Sequence, residues 1–259
     1  KELWGEYLGT FILVFIGCGS VGAAVILGWL TSLYQVAAVW GIGVTLAIMV
    51  GKRWSPAHFN PAVTLAMCIA RHHSWRRLLP YCAAQLVGAI IAGLALLLLF
   101  EPSIHQFEKE SLGLDANLYE LAIDAHDGST AQMFGEFFPN PGYADTISIT
   151  WPMAMLAEAA GTFLLLLAIF WIVKDIDRLS WKPALLIGLS VAILIVIFAP
   201  YTQCGMNPAR DFGPRLVAYF SGWDDKALPS PVHGAISVYV IGPLIGGGLA
   251  ALTQGKSNL

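Results

Sequence analysis

Residues 55–62 read Ser-Pro-Ala-His-Phe-Asn-Pro-Ala, and residues 202–209 read Thr-Gln-Cys-Gly-Met-Asn-Pro-Ala. Proline fits the first turn of a helix because its missing N–H would be unpaired there anyway, and a preceding Asn can cap the exposed donors. Each octapeptide therefore predicts a helix start. A helix of about ten residues rises roughly 15 Å, half of a ~30 Å hydrocarbon core. The two helix starts are Asn60-Pro61-Ala62 and Asn207-Pro208-Ala209.

The composition is that of a membrane protein. The chain has 259 residues, of which 57% are hydrophobic and 12% charged, with a mean hydropathy of +0.67. A water-soluble domain of this size could not bury so much apolar surface. We predict an all-α membrane protein with six transmembrane helices and two re-entrant half-helices. The predicted spans lie near residues 5–29, 33–51, 79–100, 151–173, 183–200 and 233–253.

The chain contains an internal repeat. The sequence Gly-Glu-Tyr-Leu-Gly-Thr-Phe at residues 5–11 returns as Ala-Glu-Ala-Ala-Gly-Thr-Phe at residues 157–163. Each copy holds three spans and one half-helix, and an odd number of spans makes the second copy insert upside down. We therefore predict one domain over residues 1–259, an inverted repeat of about 1–100 and 151–259 joined by the connection 101–150. Within the repeated motif, Glu6 and Glu158 are expected to hydrogen-bond the re-entrant backbone rather than to carry protons.

Basic residues are distributed unevenly between the connections. Ten of the 14 Lys and Arg residues lie around the first half-helix, between spans 4 and 5, or at the two ends of the chain. The connection 101–150 has one, Lys109, against nine acids. By the positive-inside rule, both termini are cytoplasmic and this connection is outside. A net charge of −3 favours no nucleic-acid partner.

The residues before each Asn-Pro-Ala are predicted to line a conduit. Non-helical backbone at membrane depth survives only where protein or a water-filled cavity satisfies its polar groups. Asn60 and Asn207 would present amide donors where two helix N-termini each contribute about half a positive charge. A cation is repelled there, whereas a neutral hydroxyl can still form hydrogen bonds. The backbone expected to line the conduit belongs to Ala57, His58, Phe59, Gln203, Gly205 and Met206.

The paired Asn-Pro-Ala half-helices, the doubled Glu-x-x-Gly-Thr and Arg210 after the second tripeptide resemble the aquaporin and glycerol-facilitator family of major intrinsic proteins. This resemblance covers essentially the whole chain. It implies an aquaporin-like fold and a passive channel for glycerol, water and other small neutral solutes, which excludes ions and protons. It also implies a homotetramer in the lipid bilayer of the plasma membrane, without a cofactor, a metal or enzymatic activity. Asp211 and the segment Phe138-Pro139-Asn140-Pro141 are typical of its glycerol-conducting branch.

The resemblance also implies the selectivity filter, which it assigns by position to Trp40, Ile195, Cys204 and Arg210. A Trp and Ile wall facing one Arg suits linear polyols, because carbon backbones contact the apolar side and hydroxyls face the guanidinium. Three residues depart from the expected pattern. Glycerol channels usually have an aromatic in place of Cys204 and a small residue in place of Ile195, and the family as a whole usually has Gly in place of Pro56.

Other functions fit the sequence less well. A water-selective or metalloid-conducting channel has the same framework. A secondary transporter also uses inverted repeats and broken helices, but it needs a coupling-ion site, and the spans carry almost no charge. The spans contain no HExxH metal motif and no evident nucleophile–base pair, so enzymatic activity is not expected. The four cysteines lack the spacing of a metal site, and no disulfide is expected.

Overall fold

The computed structural model describes residues 1–113, 126–176 and 180–254, and within these ranges the chain forms only helices and loops. Six helices are long and apolar enough to cross a membrane, so the predicted fold class is confirmed. The helices are α1 (Glu2–Val25), α2 (Leu33–Gly51), α3 (Pro61–Ile69), α4 (Leu78–Leu112), α5 (Gly128–Ala131), α6 (Trp151–Asp175), α7 (Lys182–Thr202), α8 (Pro208–Ala218) and α9 (Gly234–Leu252).

The two half-helices, α3 and α8, begin at the predicted tripeptides. Asn60 caps α3, because its Oδ1 accepts a hydrogen bond of 2.8 Å from the N–H of Ala62. Asn207 caps α8 in the same way, and its Oδ1 accepts from the N–H groups of Ala209 and Arg210 at 3.1 and 3.2 Å. With proline in the first turn of each helix, the local chemistry alone fixes both starts.

Helix packing follows the repeat. In the first half α1 packs against α2 and α4, and in the second half α6 packs against α7 and α9. The halves meet through α2 and α7. Each half-helix packs on the last span of the other half, α8 on α4 and α3 on α9. Each half of the chain therefore supplies the packing surface for the half-helix of the other half.

Two glycines allow close backbone contact between helices of the same half. A Cβ on Gly88 of α4 would lie 2.3 Å from the carbonyl oxygen of Tyr7 on α1. A Cβ on Gly246 of α9 would lie 2.0 Å from the carbonyl oxygen of Ala159 on α6. Tyr7 and Ala159 occupy matching positions in the two repeats, so the same close approach is built twice. Small residues at such positions are typical of packed membrane helices.

The third span is longer than predicted. We expected it to end near residue 100, where Glu101 begins an acidic connection, but α4 continues to Leu112. The extension packs because Ile104 is fully buried and Glu108, one turn later, is held inside. Glu108 accepts hydrogen bonds from the Thr130 hydroxyl at 2.6 Å and the Asp127 N–H at 3.0 Å. Residues 114–125 of the connection, and the basic Arg178 and Lys256, lie outside the described residues.

Candidate functional site

A cavity lies between the two half-helices and the spans around them. Asn60 and Asn207 border it. Their neighbours Pro61, Ala62, Pro208 and Ala209 form the first turns of the half-helices and do not border it. The re-entrant segments contribute the residues that we expected to line a conduit, namely Ala57, His58, Phe59, Gln203, Gly205 and Met206.

Most of the remaining wall of the central cavity is aliphatic. It combines polar backbone and amide groups from the two re-entrant segments with branched apolar side chains from the spans. A carbon chain can contact such side chains while its hydroxyl groups face the polar residues. The aliphatic residues are Leu13, Val44, Ile48, Val63, Leu165, Ile169, Val191 and Ile195.

The two Asn side chains bind each other's loops. Asn60 Nδ2 donates to the carbonyl oxygen of Met206 at 2.8 Å, and Asn207 Nδ2 donates to the carbonyl oxygen of Phe59 at 2.9 Å. Each amide has two N–H groups and one oxygen, and the oxygen caps its own half-helix. One N–H of each Asn is thus committed to structure. The other can face the cavity.

Two buried carboxylates hold the re-entrant backbone. Glu6 accepts from the N–H groups of His58 and Phe59 at 3.1 and 2.7 Å. Glu158 accepts from the N–H groups of Gly205 and Met206 at 2.9 and 2.7 Å. Glu6 is fully buried and Glu158 is 1% exposed. These bonds satisfy backbone donors that would otherwise be unpaired inside the protein.

The same backbone is held in an unusual conformation. Five non-glycine residues of the two segments have positive φ, at 63° for Ala57, 51° for Phe59, 57° for Gln203, 67° for Cys204 and 48° for Met206. Left-handed conformations of such residues cost about 1–3 kcal/mol each and persist only where the surroundings impose them. The bonds to Glu6 and Glu158 provide that constraint.

The four residues assigned to the filter all border the central cavity, and three of them lie at one end of it. Trp40, Ile195 and Arg210 border both this cavity and a second cavity beyond it, so they lie at the junction of the two. Gln203 also borders both cavities, whereas Cys204 borders only the central one. The junction therefore includes Gln203, for which the sequence predicted only a backbone role.

Arg210 lies between an aromatic ring and a carboxylate. Its guanidinium carbon is 4.4 Å from the ring centroid of Trp40, within the range of a cation–π interaction. The Nη2 atom of the same guanidinium forms an ion pair with Oε1 of Glu136. Both charged side chains are buried, with Arg210 5% and Glu136 1% exposed.

The backbone around Glu136 is anchored to the second half-helix. The N–H of Glu136 donates to Oδ1 of Asp211 at 2.7 Å, and its carbonyl accepts from Nη2 of Arg215 at 2.6 Å. The N–H of Phe137 donates to Oε1 of Gln203 at 2.7 Å. Asp211 also pairs with Arg215 through two hydrogen bonds of 2.7 and 3.0 Å. Asp211 is thus a structural anchor of the connection.

The sequence did not single out Glu136. It lies in the long connection, 74 positions from Arg210, and no local spacing places the two together. One signal was available, since Glu136 is an acid among aromatic and small residues in Phe134-Gly135-Glu136-Phe137-Phe138. Charged residues in such a setting are seldom buried unless they are paired.

His58 contacts a second group of rings near Asn60. Its centroid is 4.9 Å from that of His73 and 5.6 Å from that of Tyr81, and its Nδ1 is 3.3 Å from the Thr64 hydroxyl. Burial lowers the pKa of His73, and the nearby Arg77 charge acts in the same direction. Both effects favour the neutral form of the His73 ring beside His58.

The cysteines differ in their surroundings. Cys204 borders the central cavity, whereas Cys18 and Cys68 are buried away from it and Cys82 lines a groove between α4 and the half-helices. All four are free thiols. Among the described residues, no group of three or more His, Cys, Asp or Glu side chains could hold a metal ion.

The chain is similar in sequence to several known proteins. The chain is 33% identical to the glycerol uptake facilitator protein of Pseudomonas aeruginosa over 225 residues, covering 86% of this chain and 76% of that protein. It is 32% identical to a propanediol uptake facilitator of Citrobacter freundii over 242 residues, covering 93% and 84%. The glycerol uptake facilitator of Escherichia coli K12 is 31% identical over 245 residues, covering 93% and 80%.

The fold has a solved counterpart. The X-ray structure of the aquaglyceroporin from Plasmodium falciparum superposes with a TM-score of 0.78, covering 97% of this chain and 93% of that one, at 22% sequence identity. The family model of the major intrinsic proteins matches residues 1–254. With six spans, two facing half-helices and this match over nearly its whole length, the chain belongs to the major intrinsic protein family.

Proposed function

We propose that this protein is a passive channel that conducts glycerol and other small uncharged solutes, together with water, and excludes ions and protons. One observation carries the proposal, namely the wall of the central cavity. Polar groups of the re-entrant segments and aliphatic side chains of the spans line the same cavity. A polyol has the same division between hydroxyl groups and carbon chain. The names of the relatives, glycerol and propanediol uptake facilitators, support the same solute class.

Solute selection is proposed to occur at Trp40, Ile195, Cys204 and Arg210. Trp40 and Ile195 offer apolar surface, while Arg210 offers several N–H donors in a fixed geometry. A linear polyol can therefore replace part of its hydration shell as it passes. The position of Trp40, Ile195 and Arg210 at the junction of two cavities supports this role.

Exclusion of cations is proposed to depend on the two half-helix N-termini. Because α3 and α8 both begin at the cavity, their partial positive charges add there. A hydrated cation would meet this potential in a narrow, mostly apolar passage. Water and glycerol carry no net charge and can still accept hydrogen bonds from the amides of Asn60 and Asn207.

The functional test measures flux in reconstituted vesicles by stopped-flow light scattering. We expect glycerol equilibration well above the rate of protein-free vesicles, without saturation and without dependence on an ion gradient. We also propose a homotetramer without enzymatic activity, so the protein part of the detergent-purified particle is expected to have four times the mass of the 27.9 kDa chain. Rapid water flux with glycerol at background would instead indicate a water-selective channel, and saturation or coupling to an ion gradient a transporter.

Ile195→His provides the matched test of the filter. The substitution places a bulkier, polar ring where an aliphatic side chain now borders both cavities. We expect glycerol flux to fall more than water flux, because glycerol is the larger solute and loses apolar contact. An unchanged ratio of glycerol to water permeability would contradict the filter assignment while leaving the channel itself intact.

The protein is a multi-pass membrane protein, and we propose that it lies in the plasma membrane with both termini cytoplasmic. The charge pattern supports this orientation of the termini, since basic residues cluster at one set of connections. Single cysteines on a cysteine-free background, at exposed Asp145 and exposed Arg76, test the orientation. An impermeant thiol reagent added to intact cells should label position 145 and not position 76. The reverse pattern would invert the topology.

A further inference from the structure

Glu136 is a buried charge that the proposed conduction pathway does not yet use. It is 1% exposed, and its carboxylate forms an ion pair with Arg210 beside the junction of the two cavities. Glu136 itself borders the second cavity. Removing a carboxylate from water costs several kcal/mol unless it is paired. The negative charge of Glu136 is therefore stable at this buried position only because Arg210 pairs with it.

The structure fixes Glu136 before any solute arrives. Its N–H and carbonyl are bonded to Asp211 and Arg215, and the next residue is bonded to Gln203. The four-residue segment 135–138 is also crowded, since a Cβ on Gly135 would lie 2.6 Å from the guanidinium carbon of Arg215. The backbone that carries Glu136 is thus tied to the half-helix that carries Arg210.

We propose that Glu136 is the positioning residue and counter-charge of Arg210, so that the pair, and not the Arg alone, determines selectivity at the junction. This inference rests on the proposed channel function. The Arg210 guanidinium contacts both the Trp40 ring and the Glu136 carboxylate, and these two contacts keep it from moving across the passage. Its remaining N–H groups are left to meet the solute.

The pair also changes the electrostatics of the junction. The charged groups around Glu136 are Arg210, Asp211, Glu158 and Arg215. Asp211 and Arg215 neutralise each other through two hydrogen bonds, and Glu158 is occupied by the re-entrant backbone. Arg210 and Glu136 likewise sum to zero. The positive potential along the conduit then comes chiefly from the two half-helix N-termini.

The decisive experiment compares Arg210→Val with Arg210→Val/Glu136→Gln. Alone, Arg210→Val leaves the Glu136 carboxyl without its partner beside the passage, where it can take up and release protons. We therefore expect a proton leak, measured with a pH-sensitive dye inside vesicles. The double variant removes this titratable group, since Gln can neither carry the negative charge nor exchange a proton, and we expect its leak to be smaller by about tenfold. Arg210→Val/Glu136→Asp keeps a carboxyl and should remain as leaky as Arg210→Val.

Positioning is tested with Glu136→Gln alone. Without the ion pair the guanidinium gains freedom to enter the aperture, so we expect the ratio of glycerol to water permeability to fall by about threefold, within the usual range for such couplings. In the Arg210→Val background, Glu136→Gln should not lower this ratio further. Glu108→Gln is the matched control, because Glu108 is a buried carboxylate at the end of α4, paired with His126 and away from both cavities.

The outcomes separate this inference from the proposed function. Equal proton leak in Arg210→Val and the Glu136→Gln double variant would overturn the counter-charge role. An unchanged permeability ratio in Glu136→Gln, or the same change in both backgrounds, would overturn the positioning role. Absence of glycerol flux in the unmodified protein would contradict the proposed function instead. If Glu136→Gln alone does not fold, the proposal is tested by comparing the proton leak of Arg210→Val/Glu136→Asp with that of Arg210→Val/Glu136→Gln. Both of these variants lack the Arg210 partner.

Discussion

Glu158→Ala is expected to abolish glycerol transport and to lower sharply the yield of folded protein. The carboxylate accepts from the Thr202 hydroxyl at 2.6 Å and from the N–H groups of Gly205 and Met206 at 2.9 and 2.7 Å. Each buried donor left unpaired costs about 1–3 kcal/mol. The left-handed backbone at Cys204 and Met206 would lose its support as well. Against a total stability of about 5–15 kcal/mol, the combined loss is severe.

Thermal unfolding of the purified protein in detergent and vesicle flux measure the effect of Glu158→Ala. Glu101→Ala is the control, because Glu101 is an exposed carboxylate on α4, a spanning helix of the first repeat. We expect the control to unfold near the temperature of the unmodified protein and to transport normally. If Glu158→Ala kept both its unfolding temperature and its glycerol flux, the re-entrant segment would not depend on this carboxylate.

Gly246→Ala is expected to destabilise the protein, although alanine favours helices by about 1 kcal/mol over glycine. The new Cβ would lie 2.0 Å from the carbonyl oxygen of Ala159, and Cβ atoms essentially never approach heavy atoms more closely than 3.0 Å. Helices α6 and α9 would have to separate along their main contact. Overpacking of this kind costs about 1–3 kcal/mol, occasionally more. Thermal unfolding in detergent measures the loss.

Gly248→Ala is the matched control on the same helix. Its Cβ would meet only the Cδ1 atom of Ile69, at 3.5 Å, which is an ordinary contact. We expect the control to unfold at the original temperature or slightly above it, because the gain in helix propensity is not opposed by a clash. Equal unfolding temperatures for the two variants would show that α6 and α9 tolerate a wider separation than the structure suggests.

The sequence predicted the parts of the fold that depend on local chemistry. Apolar length predicted the six spans, and Asn followed by Pro predicted where α3 and α8 begin. The end of α4 was wrong, because the sequence alone does not show that Ile104 and Glu108 find partners in a distant segment. Charge and a change in composition mark a helix end only when nothing packs against the continuation.

The site was predictable to a similar degree. The repeat and the family resemblance predicted that Asn60, Asn207 and Arg210 line one conduit, and in the structure all three border the central cavity. Contacts of the long connection were not predictable, because they depend on tertiary folding over many positions. Glu136 reaches Arg210 only once its segment has docked on α8. Gln203 bonds Phe137 for the same reason.

The crossed hydrogen bonds of the two Asn side chains have a consequence for the order of assembly in the cell. A ribosome delivers the first half of the chain to the membrane before the second. Asn60 gains its acceptor, the carbonyl of Met206, only after a further 146 positions have followed. The hydrogen bonds between the two re-entrant segments can therefore form only after the second segment has been synthesised. Each half of the chain then supplies the acceptor for the Asn of the other half.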